Sequence, residues 1–199
     1  MGADLLASLG QHIALCLAAL IIAIATGVAL GVAAAYLAAI RSGILALASI
    51  GRTLPSLAVL ALLLPWLGVG VRPAIIALAI LALPPIVINV DLAIRAVPRS
   101  TLDAALGLGM GGWERFARVV TPTALPLALV GVRTAATEVI ASATLATFIG
   151  AGGLGDEIVR GLQTDDTGLL LSAAALVAAL ALLVDLCFSR LVTRLEVAP

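Results

Sequence analysis

Five stretches of this chain are apolar, nearly free of charge and long enough to cross a lipid bilayer, and that pattern restricts the fold more than any other feature. A helix rises about 1.5 Å per residue, so about 20 apolar residues span the hydrocarbon core. The first run, 13–40, exceeds that length and far exceeds a signal-peptide core of about 7–15 residues, so it reads as a retained helix. Further runs lie at 53–71, 73–95, 123–149 and 168–189, with 41–52 as an interfacial lead-in to the second. Only 11% of the residues are charged and 63% are hydrophobic, so no segment stays polar long enough to form a separate soluble domain. The expectation is an all-α polytopic membrane protein: one domain over 1–199, with about five transmembrane helices.

Orientation follows from the arginines, which supply all eleven basic residues. With the N-terminus outside, Arg41, Arg52, Arg95, Arg99, Arg115, Arg118, Arg190 and Arg194 fall at or near the cytoplasm. Only Arg72 and Arg160 then fall outside, which predicts an N-out, C-in layout. Net charge is zero and no basic run marks a nucleic-acid surface. Cys16 and Cys187 lie in apolar stretches without a CxxC spacing, which indicates neither a metal site nor a disulfide framework. No cofactor is expected.

The longest loop on the arginine-rich side is 98–122. Ser100 with Asp103 three residues on matches a capping box. Ala104 and Ala105 then give a small-faced turn that Gly107 and Gly109 end, and a second short helix over 113–120 is expected to stop before Pro122. The order Asp103-Ala104-Ala105, three residues, Gly109, nine residues, Val119-Val120-Thr121-Pro122 resembles the EAA loop of importer-type ABC permeases, E-A-A-x3-G-x9-I-x-L-P. Asp103 stands for Glu, Val119 for Ile and Thr121 for Leu; the last puts an apolar contact in doubt.

The resemblance implies a coupling helix carried by Asp103, Ala104, Ala105, Gly107, Gly109 and Pro122, docked on a cytoplasmic ABC ATPase dimer. It also implies an extracytoplasmic substrate-binding protein and a second permease copy, identical or homologous. The chain has no Walker sequence, so ATP hydrolysis is expected on the partner and this subunit is not an enzyme. The strings TLATFIGAGGLGDEIVRGL at 144–162 and RTLPSLAVLALL at 52–63 resemble osmoprotectant permeases, which import glycine betaine, choline or carnitine. Methionine-type permeases share the five-span plan and a similar glycine stretch, which leaves an amino acid as the alternative solute. Gly150, Gly152 and Gly155 also spell GxGxxG, but a dinucleotide site needs a preceding strand, and here an apolar span precedes it. A flexible outer loop is expected instead, with Gly152, Gly153, Gly155 and Asp156 contacting the binding protein and a short helix over 156–162.

Ionisable groups inside the membrane are functional candidates. Asp91 and Arg95, four apart, are expected to pair on one helix face. Glu138 falls near mid-depth and has two open readings: an interhelical partner for an arginine or amide, or a carboxylate lining the path of a cationic solute. Asn89, Thr53 and Ser56 are the weaker polar candidates for that path. Asp185 reads as interfacial, and His12, at the outer edge, has no assigned role. Gly27 and Gly31 form a GxxxG step suited to close helix approach. Six aromatic residues scattered along the chain do not make a cage for a quaternary ammonium group, so recognition is expected to fall to the binding protein. A membrane-embedded enzyme is the rival class. A rhomboid-like protease needs GxSxG and a deep histidine, and a lipid-phosphate transferase needs clustered acids; neither pattern occurs.

Overall fold

Every regular element in the computed structural model, which describes residues 2–196, is helical. Met1 and 197–199 of the single domain expected over 1–199 lie outside the described residues. The chain runs through α1 (Gly2–Tyr36), α2 (Ala38–Gly51), α3 (Ser56–Leu67), α4 (Val71–Arg95) and α5 (Arg99–Gly107). It continues through α6 (Gly112–Arg115), a π turn (Phe116–Val120), α7 (Thr121–Ala143) and a 3-10 turn (Thr144–Ile149), then α8 (Leu154–Gln163) and α9 (Thr167–Glu196).

The centre of the bundle is α4, held between α1 and α7. Lipid tails are as apolar as leucine, so helices associate through close packing rather than through exclusion from water. The sequence supplies that closeness with small residues. Ala74, Ala77 and Ala82 of α4 are fully buried. Gly27 and Gly31 lie against its other turns: a Cβ on Gly27 would stand 2.9 Å from Ile86 Cγ2, and one on Gly31 2.6 Å from Val90 Cβ. From the opposite side Gly131 of α7 approaches so closely that a Cβ there would meet the Pro85 carbonyl oxygen at 2.6 Å.

The expected second span, 53–71 with a lead-in at 41–52, is corrected. α2 and α3 together make one broken segment, bent by 104°, and neither half is long enough to cross alone. Pro55 explains the break: it disfavours helical backbone at Leu54 and is itself extended, at ψ 131°. Gly51 backs onto the Pro84 ring, halfway along α4, so the bend and Arg52 sit at mid-depth rather than at the cytoplasmic edge. The first span also ends sooner than expected, at Tyr36, because Leu37 leaves helical geometry at φ −109°, ψ 86°.

The helix expected to stop before Pro122 does not stop. Residues Gly112–Ile149 form one 38-residue segment. Proline lacks an N–H and crowds the carbonyl one turn back, so an unbroken α-helix would be strained there. The wide turn over Phe116–Val120 relieves this: the Thr121 N–H reaches back five residues to the Phe116 carbonyl, which also accepts from Thr121 Oγ1 at 2.8 Å.

Candidate functional site

At the arginine-rich end α5 begins from Pro98, with no side-chain cap, so the Ser100–Asp103 capping box is not formed. Thr101 and Leu102 donate to the Pro98 carbonyl and start the helix two residues earlier. Its end follows the chemistry of the glycine. Met110 N–H donates to the Ala105 carbonyl, Gly109 N–H to Leu106, and Gly109 takes the left-handed φ of 78° that closes such a cap. Asp103, Ala104 and Gly107 are exposed. Ala105 is 3% exposed and packs inside the permease, so it is not part of an external docking surface. Leu106, Leu108 and Trp113 face outward instead, the last two at 77% and 79% exposure. Their signal was present as apolar residues in a polar loop.

At mid-depth Glu138 is exposed on α7. The opposite charge whose field reaches it is Arg52, from the bend between α2 and α3. Thr53 lies in the same bend, its hydroxyl turned back to the Ile50 carbonyl at 2.8 Å, and half-buried Ser56 opens α3. Asn89 occupies the α4–α7 crossing, where Nδ2 donates to the Pro85 carbonyl at 2.8 Å beside Gly131. Gly131 and Glu138 are about two turns apart on one stripe of α7, which puts Asn89 about 10 Å from Glu138 in depth.

Two interhelical forks engage further charged residues and correct two expectations. Asp91 pairs with Arg41 of α2, not with Arg95: Arg41 Nε and Nη2 donate to its two oxygens at 3.0 and 2.8 Å. Asp91 is buried inside the bundle, where an incoming guanidinium makes two bonds that an exposed neighbour on its own helix cannot. Asp185 is not merely interfacial; it accepts from Arg133 Nε and Nη2 at 2.6 and 2.8 Å and ties α9 to α7. Arg133 is thereby engaged away from Glu138.

The opposite end is not a flexible loop. Gly152, Gly153 and Gly155 are buried, and added side chains there would strike Gln11, His12 and the Thr144 carbonyl respectively. Gln11 holds the loop at two points, donating to the Ala151 carbonyl at 3.2 Å and accepting from Gly153 N–H at 3.1 Å. His12 is fully buried and donates from Nε2 to the Ile140 carbonyl at 3.2 Å. Gln11 was not singled out in the sequence and His12 was given no role; a polar pair at the start of an apolar run was the available signal. Asp156 alone of the four loop candidates is exposed, and it accepts from Thr147 Oγ1. The helix expected at 156–162 starts two residues earlier, at Leu154, and buries Glu157 against Ser8 and Arg160. No strand precedes the glycines among the described residues, so the dinucleotide reading has no structural context.

The aromatics are less scattered than expected. Tyr36 and Phe116 meet edge-to-face at 6.2 Å, and Trp113 lies 5.8 Å from Phe116. Arg95, Arg99 and Arg115 surround that cluster, so it repels a cation and is no ammonium cage.

The fold resembles a chain in an inward-facing structure of the MetNI methionine ABC transporter, with a TM-score of 0.85, 20% identity and coverage of 96% of this chain and 95% of that one. At the sequence level the chain is 40% identical to the carnitine transport permease protein OpuCB of Listeria monocytogenes over 98% of this chain and 89% of the relative. It is 38% identical to the glycine betaine/carnitine/choline transport system permease protein OpuCB of Bacillus subtilis over 100% and 90%. The family model described as binding-protein-dependent transport system inner membrane component matches residues 8–197. A match over nearly the whole length, on a helical bundle with an exposed helix–glycine–helix loop at its arginine-rich end, has one meaning: the chain belongs to the binding-protein-dependent inner membrane components, the permease subunits of ABC transporters.

Proposed function

We propose that this permease imports a small quaternary ammonium osmoprotectant of the glycine betaine, choline or carnitine class, driven by ATP hydrolysis on a partner subunit. The observation that carries the reading is near full-length similarity to relatives named for those solutes. The likeness to a methionine transporter is one of fold at 20% identity and does not favour an amino acid. Asp103, Ala104, Gly107, Leu106 and Leu108 form the surface that meets the ATPase dimer, and Gly109 and Pro122 set its angle. The N-terminus lies outside, so Asp156 and the exposed turn after α8 face the binding protein. Glu138, Arg52, Thr53 and Ser56 line the path between two permease copies, with Asn89 below them. An uncovered carboxylate halfway along a span supports this, since lipid solvates it poorly and a water-filled path solvates it well.

Reconstitution into liposomes with the ATPase and binding protein tests the reading. ATP-dependent uptake of labelled glycine betaine, choline or carnitine is expected, with none of methionine. Methionine uptake would overturn the solute class, and uptake without the ATPase would overturn the energy source.

A further inference from the structure

A cavity of about 750 Å³ opens at the arginine-rich end, between the last turns of α1 and α4 and the loop helices. Arg95, Arg99 and Arg115 line it with Tyr36 and Trp113. None of the three guanidiniums has a hydrogen-bond or ion-pair partner among the described residues. Of the carboxylates nearest in sequence, Asp91 pairs with Arg41 and Glu114 with Arg118, while Asp103, four residues from Arg99, makes no ion pair with it and does not line the cavity. Three positive charges therefore face one space that has no carboxylate among its lining residues. Each guanidinium is a rigid fork of N–H donors matched to phosphate oxygens.

The cavity does not end blindly. Val32, Ile94, Phe116 and Val120 line both it and a second groove of about 230 Å³. That groove runs along α1, α4 and α7 as far as Ile24 and Val132, and its walls are apolar except for Thr121. Val120 to Val132 corresponds to about 18 Å of helix rise, so the groove enters the depth of the acyl chains. A space cationic at one end and apolar along the rest fits one kind of ligand.

We propose that this is a binding site for an anionic phospholipid, with the phosphate among Arg95, Arg99 and Arg115 and an acyl chain in the groove. Trp113 and Tyr36 then sit at headgroup level, where amphipathic rings are favoured. A zwitterionic lipid would bring its own ammonium group to three guanidiniums, so the site selects a net-negative headgroup such as phosphatidylglycerol. A free phosphate would leave the groove unused. An acidic surface on the ATPase would do the same, which is why the lipid is favoured over a protein contact. The inference holds whichever solute is carried.

The test measures phospholipid retained by the purified permease–ATPase complex after exchange into nanodiscs of phosphatidylcholine with a minor share of phosphatidylglycerol. Retention of phosphatidylglycerol over phosphatidylcholine by about tenfold beyond their ratio is expected. Replacing all three arginines by glutamine should abolish that preference with the ATPase still bound, and replacing them by lysine should keep most of it. Val28→Trp fills the groove without touching an arginine and should also release the lipid, which keeps the test sound if the glutamine variant fails to fold. Equal retention of the two lipids, or a preference untouched by the glutamine variant, overturns the proposal. Loss of the ATPase with lipid retained would assign the arginines to that interface, and full competition by glycerol phosphate would leave a soluble-anion site only.

Discussion

The proposed path depends most on one residue, the carboxylate of Glu138, which is exposed on α7. Glu138 is open to two readings, an interhelical partner for an arginine or amide and a carboxylate lining the path, and Arg133 of its own helix is engaged by Asp185. Its remaining neighbour in charge is Arg52, which the broken second segment brings to mid-depth. Glu138→Gln keeps size and hydrogen bonding but removes the charge, so uptake of a cationic solute should fall about tenfold, or ~1.4 kcal/mol at the barrier. Melting of the purified complex should not change. Normal uptake would end the path assignment, and a lowered melting point would assign Glu138 to structure. Gly131 supplies the opposite case, where space and not charge is decisive. Gly131→Ala drives a methyl into the Pro85 carbonyl and Asn89, and overpacking of this kind costs about 1–3 kcal/mol. Gly10→Ala, with nothing within 4 Å of the added carbon, is the matched control and should melt like the parent. The exposed carboxylate was legible from its place in an apolar run. Its isolation from Arg133 was not, because pairing across helices depends on which faces meet.

Elements differ in how openly the sequence announces them. The long helices follow from hydropathy, since a run of 20 or more apolar residues has few alternatives in lipid. The bend between α2 and α3 was hidden by the same property: 53–71 is uncharged and mostly apolar, and a hydropathy average does not register that Pro55 redirects the chain by 104°. Pro122 misled in the other direction, because the π turn beside it absorbs the missing N–H and lets the helix continue. In α5 the pattern of small residues was legible, but its helical phase was not. Ala104 points out and Ala105 points in, so bulk at the two positions should act differently. Ala104→Trp should leave membrane insertion and melting intact while abolishing coupled uptake and weakening ATPase co-purification. Ala105→Trp should lower the melting point before any question of docking arises. Unimpaired uptake by Ala104→Trp would show that the outward face of α5 does not meet the ATPase.

For the molecule as a whole, the ends of the bundle differ in kind, and the proposed orientation rests on that difference. One end holds α5 and three arginines around an open cavity. The other is closed by α8 and a glycine turn stapled to α1 through Gln11, while His12 ties α1 to α7. The arginine count that predicted this polarity included Arg52, which lies at mid-depth and adds no vote. The remaining seven still outnumber Arg72 and Arg160. Exposed positions at each end convert the count into a measurement. In a chain with Cys16 and Cys187 replaced by alanine, Thr164→Cys reports on the turn between α8 and α9, and Leu108→Cys on the turn after α5. Both parent side chains are exposed, so neither substitution disturbs the core. A membrane-impermeant maleimide added to intact cells should label Thr164→Cys and spare Leu108→Cys until the membrane is opened. The reverse pattern would invert the topology and place α5 where no cytoplasmic ATPase can reach it. Labelling of both from one side would mean that Gly112–Ile149, the helix that connects the two reporters, does not cross.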